Sequence, residues 1–433
     1  MSSLLSIVKP FVPGFIWRYT KSRAREMAYR RLRKELPAYQ DRMKTRLDAL
    51  RQKNEIIVAF QVFSVSMWKC ASVLKLMQEH PRFVPFIWVS PQWQIQDEAE
   101  RGAVMRKVQD FFEQAGVETV AADTEEQLRA LRRPDIIFPS QPYESVSEAL
   151  NKDMEQALYC YVPYCFRNTE AADTYNNISQ NKYLFNFYEN RHTAGTAAQL
   201  MTNGGANVVV TGHPILDPLL GGGESSQSPW KDAGGGKKKI IWAPHWVVDP
   251  TRSHMGRTSF LDIADGMLEL AARYADTMQF AFKPHPLLLH ELYKHPDWGR
   301  ERADAYYAKW RDMGNGQLED GPYVELFRQS DALVHDSGSF MVEYMACNKP
   351  CLYIRKEEDY PPLEAMSRQA VQAHHHTADI GGVEEFLRKV VLLGDDGQAA
   401  LRHTFREKYI LPPHHCSAAQ NIINAILGQA RAD

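Results

Sequence analysis

The strongest constraint on the fold of this chain is a series of short, continuous apolar runs separated by helix-length polar stretches. The first is "NEIIVAFQVF" (54–63). "FVPFIWVS", "VETVAA", "DIIFPS", "LYCYVPY", "KYLFNF" and "NVVVTGHP" follow it. Continuous apolar strands alternating with helices indicate a parallel sheet covered on both faces.

The pattern is then interrupted by "GGGESSQSPWKDAGGGKKK" (221–239), the most Gly- and Ser-rich stretch in the chain, which reads as a linker. It restarts with "KIIWAPHW", an amphipathic stretch near 259–275, "MQFAFKPHP", "YVELFRQSDALVHDSGS" and "KPCLYI". A length of 433 residues exceeds what one hydrophobic core usually organises, so two α/β domains are expected. The expected boundaries are a helical segment over 1–53, a Rossmann-like domain over 54–216, a linker over 217–239, a second Rossmann-like domain over 240–412, and a C-terminal helix over 413–433 that packs back across the cleft. Ligands in such sheets bind outside the carboxyl ends of the strands.

Composition adds one asymmetry. The net charge of -2 gives no global sign of nucleic-acid binding, yet residues 18–53 hold thirteen Lys or Arg against four acids. That segment is +9 and the remainder -11. Before it, "MSSLLSIVKPFVPGFIW" is apolar but short and broken by Pro10 and Pro13, so neither a membrane span nor a signal peptide is expected. Cytoplasmic residence is expected. A basic amphipathic helix behind an aromatic tip suits an anionic membrane surface, and a solvated helix with its Arg residues in water is the plainer alternative. The six cysteines contain no C-x-x-C pair and sit mostly in apolar runs, so they read as reduced core residues.

Three motifs in the second half fall where strands end: "WAPHW" (242–246), "FKPHP" (282–286) and "HDSGS" (335–339). Together they assemble one rim. A helix start after Ser339 would offer N–H groups to a phosphate. Ser337 and Ser339 add hydroxyls, and Gly338 removes a Cβ that would hold a phosphate away. Lys283 and His285 could supply charge or a proton to a leaving phosphate, and His245 stands beside them. Taken singly, each of these is as readily a capping or packing residue. No Asp-x-Asp pair or Gly-x-x-x-x-Gly-Lys loop is present, His414, His415 and Cys416 lack metal-ligand spacing, and "QAHHHTAD" (372–379) reads as a loop. No metal and no cofactor is expected.

"SDALVHDSGSFMVEYMACNKPCLYI" is similar, without gaps, to a segment of the CDP-glycerol glycerophosphotransferases, the teichoic-acid primases and polymerases. There Asp336 falls on the family Asp, Gly338 and Ser339 on its paired serines, Glu343 on a later Asp, and Lys349 with Pro350 on its Lys-Pro. His285 falls on the family His-Pro element, His245 replaces Thr in its Ala-Pro-Thr-Trp element, and "VVVTGHPILD" supplies Gly212, Pro214 and Asp217. The likeness spans about 208–355. The family's Trp-His-Gly-Thr element is not found, and "CYVPYCFRN" (160–168) stands about where it would be.

The resemblance implies a GT-B fold with an acceptor domain first and a nucleotide-donor domain second. It further implies transfer of glycerol phosphate or a related alditol phosphate from a CDP-alditol to a hydroxyl of a polysaccharide or lipid-linked acceptor, releasing CMP. His245, Lys283, His285, Asp336, Ser337, Gly338, Ser339 and Glu343 would hold the nucleotide and phosphates; "DSGSFMVEY" also distantly resembles the Asp-Ser-Gly-Gly-x-x-Glu-Glu loop of UDP-sugar GT-B enzymes, which implies that Glu343 reads the ribose. His285 would assist the leaving group. His192 and His213 are the candidate bases from the first half, with Tyr164 behind them. A nucleotide-sugar glycosyltransferase and an inactive scaffold in capsule assembly are the alternatives.

Overall fold

The computed structural model describes residues 14–429 except 93–94, 96, 123–126, 128–132, 143–156, 169–171, 222–227, 232–234, 251–255 and 356–362. The apolar N-terminal tip, expected to meet a membrane, lies outside the described side chains, as does much of the Gly-rich stretch.

Each of the seven apolar runs of the first half becomes a strand: β1 (Ile56–Val62), β2 (Phe83–Val89), β3 (Thr119–Ala121), β4 (Ile136–Pro139), β5 (Leu158–Tyr161), β6 (Phe185–Tyr188) and β7 (Val208–Val210). They form one parallel sheet in the order β3-β2-β1-β4-β5-β6-β7. β1 is central and buried almost throughout, which is why its run carries apolar residues on both faces.

The second sheet contains β8 (Lys238–Ala243), β9 (Met278–Phe282), β10 (Gly316–Leu318), β11 (Ala332–His335), β12 (Cys351–Ile354) and β13 (His375–Thr377). Its order is β10-β9-β8-β11-β12-β13 and all pairings are parallel. This is the doubly wound order, whose direction of winding reverses between β8 and β11. One expectation is corrected here: His375 and His376 lie in the edge strand β13, not in a loop. The side chains of β13 are no more than partly buried, so they need not be apolar.

The basic segment is one helix, Gly14–Arg51. Leu32, Leu36, Met43, Leu47 and Leu50 are buried along one stripe, with the last three in the core of the first sheet. The helix is therefore built into the fold at its C-terminal end, while Arg33, Lys34 and Lys44 remain exposed. The helix Ala418–Leu427 packs against the same core, so the chain returns to the first sheet after completing the second. Its free N–H groups are capped by Asp217, which accepts from Ala418 N at 2.8 Å and Ala419 N at 2.9 Å.

Two segments joining the halves touch at Gly212. Its φ is 83° and an added Cβ would lie 2.6 Å from Pro412 Cβ, so both backbone conformation and space require glycine. The described part of the Gly-rich stretch is anchored as well: Trp230 is buried on the second sheet and Lys231 N donates to Gln317 Oε1 at 2.9 Å. Among the described residues no helix is long and apolar enough to cross a membrane.

Candidate functional site

β9, β8 and β11 are neighbours, so their C-terminal ends place His285, His245 and Asp336 side by side at the point where the sheet reverses direction. The His245 and His285 rings are 5.4 Å apart between centroids, and Trp246 lies 6.1 Å from His285. His285 is half-buried. Its Nδ1 accepts from Leu287 N at 3.2 Å, which leaves the proton on Nε2. Burial, aided by His245 and Lys283, pushes its pKa down to about 3, so the ring is a neutral donor. Burial also lowers the pKa of His245, whose Nδ1 is enclosed and, among the described residues, has no hydrogen-bond partner.

Asp336 is the brace of this rim. Its Oδ1 accepts from His245 N at 2.5 Å, and its Oδ2 accepts from Thr258 Oγ1 at 2.9 Å, Ser259 N at 2.5 Å and Ser259 Oγ at 2.8 Å. With both oxygens hydrogen-bonded and 1 % exposure, its carboxylate holds the 245 and 258–259 loops in place. Ser337 is the N-cap of the helix Gly338–Glu343 but makes no side-chain cap bond. Among the described residues the Ser337 and Ser339 hydroxyls have no partner, and both side chains are partly exposed. These two hydroxyls and the first helical N–H groups follow directly on Asp336, whose carboxylate accepts from the His245 backbone N–H.

Two of the expected nucleotide ligands have other partners. Lys283 is buried and its ammonium donates to the carbonyls of Gly321 at 2.6 Å and Glu319 at 3.3 Å, so it ties down the turn after β10. Burial lowers its pKa. Glu343 accepts from the Tyr323 hydroxyl, and Lys69 of the first half donates to that same hydroxyl at 3.1 Å. Burial raises the Glu343 pKa while Lys69 opposes the shift, and the chain Lys69, Tyr323, Glu343 links the two halves.

The structure does not bring His213 to this rim. Its Nε2 donates to Pro163 O at 2.8 Å, its Nδ1 accepts from Ile215 N at 3.3 Å, and Phe166 stacks on the ring at 4.8 Å. Burial pushes its pKa down to about 3. His192 differs: it opens the helix Arg191–Leu200 after β6, its side chain is 30 % exposed, and Nε2 lies 2.8 Å from Glu364 Oε2 of the second half. Tyr164 lies in the turn after β5 and is partly exposed.

Sequence reasoning missed Arg355, Glu364 and Tyr323. Arg355 is buried just past β12, with Nη2 3.5 Å from the Asp336 carbonyl oxygen. Its place one residue beyond the "CLYI" run was the available signal, because the reversal point draws on the ends of neighbouring strands. Nothing local marks Glu364 or Tyr323, since their partners lie far away in the chain. Among the described residues no three His, Cys, Asp or Glu are grouped to hold a metal ion.

Two doubly wound parallel sheets, with a C-terminal helix returning to the first, define the architecture. The fold is GT-B. It is shared with a wall teichoic acid polymerase, TagF, at 14% identity and a TM-score of 0.60 over 96% of this chain and 97% of that one. A UDP-GlcNAc 2-epimerase from Neisseria meningitidis bound to UDP-GlcNAc matches at 14% identity and a TM-score of 0.53 over 87% of this chain and 100% of that one. MnaA of S. aureus with UDP matches at 16% and 0.52 over 88% and 100%. One TagF structure was soaked with CDPG. No protein-family model and no curated protein matches the sequence. At these identities the likeness concerns the fold, and the GT-B frame hosts more than one chemistry.

Proposed function

We propose that this protein is a GT-B transferase that moves glycerol phosphate, or a related alditol phosphate, from a CDP-alditol to a hydroxyl of a polysaccharide or lipid-linked acceptor. The observation that carries this reading is the meeting of His245, His285, Ser337 and Ser339 at the reversal point of the second sheet. Such a surface offers neutral donors and helix N–H groups to a diphosphate without a bulky side chain in the way. The gap-free likeness of 330–354 to the CDP-glycerol enzymes supports the CDP-alditol as donor, and the shared fold with a teichoic acid polymerase is consistent with it.

In the reaction the acceptor oxygen attacks the β-phosphorus, the bond from that phosphorus to the bridging oxygen breaks, and CMP departs. The His285 Nε2–H donates to the departing phosphate, and the Ser337 and Ser339 hydroxyls hold the oxygens on which charge collects. His192 accepts the proton of the acceptor hydroxyl. His80 stands at the amino-end side, before β2, and the ring nitrogens of His213 are both engaged, so His192 is the histidine of the first half open to this role. The exposed Arg33, Lys34 and Lys44 would hold the protein against an anionic membrane carrying the acceptor.

A second reading, transfer of a sugar from a nucleotide sugar, draws on the fold neighbours that carry UDP or UDP-GlcNAc. One experiment separates the two: incubate the protein with CDP-glycerol or with UDP- and CDP-sugars, add a lipid-linked acceptor, and identify the released nucleotide. CMP from CDP-glycerol supports alditol phosphate transfer. A nucleoside diphosphate means sugar transfer, and no release from any donor favours an inactive scaffold.

A further inference from the structure

The pair His192 and Glu364 joins residues 172 positions apart and on opposite halves of the molecule. Its two members are held very differently. Glu364 is 3 % exposed and caps the helix Ala365–Gln372: Oε1 accepts from Ser367 N at 2.6 Å and Ser367 Oγ at 3.0 Å, and Oε2 accepts from Met366 N at 2.9 Å. Its own N–H donates to Asn168 O at 2.9 Å, so it is fixed to the first half through the backbone too. A carboxylate accepting this many bonds has one orientation.

His192 is partly open. Its ring meets Tyr409 edge-on at 5.8 Å, and the preceding Asn190 donates to Tyr409 O at 3.1 Å. Among the described residues Nδ1 of His192 has no hydrogen-bond partner. His213, by contrast, commits both ring nitrogens to backbone groups. A carboxylate on Nε2 instead requires the proton there and leaves the lone pair on Nδ1, the form that can accept a proton.

We infer that Glu364 is the positioning residue for His192, and that the two form a base dyad completed across the cleft by the opposite half. The inference rests on the assignment of His192 as base in the transfer reaction and deepens it. During transfer the acceptor O–H proton passes to His192 Nδ1, the oxygen forms its bond to phosphorus, and Glu364 stabilises the imidazolium without itself taking the proton. Proton acceptance is thereby coupled to the arrangement of the halves: with the second half swung away, Glu364 leaves and His192 loses both its tautomer and its orientation.

The test compares Glu364→Gln and His192→Ala in the full chain. In Glu364→Gln the amide oxygen is expected to stay on Ser367 N, the shorter of the two backbone caps, which turns the NH2 toward His192. Nε2 must then accept, and the proton moves to Nδ1. Nitrogen-15 NMR of labelled histidine should show His192 protonated at Nε2 in the parent and at Nδ1 in the variant. With CDP-glycerol and a lipid-linked acceptor, kcat should fall about a thousandfold, with the donor KM within about twofold and the melting temperature held; an amide that enforces the wrong tautomer can cost up to about ten-thousandfold.

An unchanged tautomer overturns the inference. So does a His192→Ala variant that loses CMP release while Glu364→Gln keeps it, an outcome that leaves His192 as base. If His192→Ala releases CMP at the parent rate, the inference and the base assignment both fall. Should the parent turn over no donor, the tautomer measurement alone decides whether Glu364 sets the ring.

Discussion

His213 and His285 occupy equivalent places in the two halves: each follows a parallel strand, each precedes or adjoins proline, and burial holds each neutral with a pKa of about 3. Their surroundings divide them. At the first rim the turn after β5 folds over the ring, with Pro163 O taking one nitrogen, Ile215 N using the other and Phe166 covering the face. At the second rim Asp336 draws the 244–246 and 258–259 segments together from behind, and His285 Nε2 is left as a donor at a half-open surface. What the neighbouring loop does with the second nitrogen decides whether a histidine at a strand end is fully engaged or keeps one nitrogen as a donor.

The sharpest break of this comparison is in turnover. His285→Ala should lower kcat for CMP release at least a hundredfold while shifting the unfolding free energy by less than about 1 kcal/mol, because in the proposed reaction the lost donor acts on the leaving group. His213→Ala should do the reverse, with kcat near the parent value and stability lower by about 2 kcal/mol from the uncovered Pro163 and Ile215 groups. Steady-state rates and urea unfolding of both variants check it; matching profiles would remove the distinction.

Next in size, Asp336→Asn places an amide NH2 among donors that need an acceptor. A loss of about 3 kcal/mol in unfolding free energy is expected, with weaker binding of CDP-glycerol, both measurable by calorimetry. A fully stable variant would mean that the rim is not organised by this carboxylate.

Smaller still is the pH dependence. His213 and His335 have folded pKa values of about 3 and about 4 against an ordinary 6.5, both depressed by burial. The unfolded chain therefore binds their protons first. Their contribution is complete above pH 6.5, and each histidine removes about 1.4 kcal/mol per pH unit as the pH falls toward its folded value. Urea titrations between pH 7 and 4 should show this slope, and His213→Gln should flatten it by one histidine's share.

The smallest effect separates the exposed basic helix from the site. Neutralising Arg33 or Lys34 by substitution with Gln should weaken binding to anionic vesicles about fivefold per residue and leave the melting temperature unchanged. Undiminished vesicle binding would remove this face from the proposed membrane contact.

Much of this was legible because it depends on local sequence. Continuous apolar runs marked all seven strands of the first sheet and β8, β9, β11 and β12 of the second. β10, with the buried Gly316 and Gln317, and β13, with His375 and His376, escaped because neither carries an apolar run. The same reasoning placed His245, His285, Ser337 and Ser339 at strand ends. It did not foresee that Lys283 would bond Gly321 O or that Glu343 would accept from the Tyr323 hydroxyl.

By itself the sequence determined eleven of the thirteen strands, their parallel sense and the clustering of chemistry at strand ends in the second half. These follow from side-chain burial and turn chemistry within a few residues. Which side chains are used up was decided by the tertiary structure alone. Glu364 meets His192, Lys69 meets Tyr323, and Asp217 meets the last helix only after two sheets have folded and the chain has crossed between them. A hydrogen bond is made within about 3 Å in space at any separation in sequence. Residue type says what a group can donate or accept, and only the packed halves say to whom.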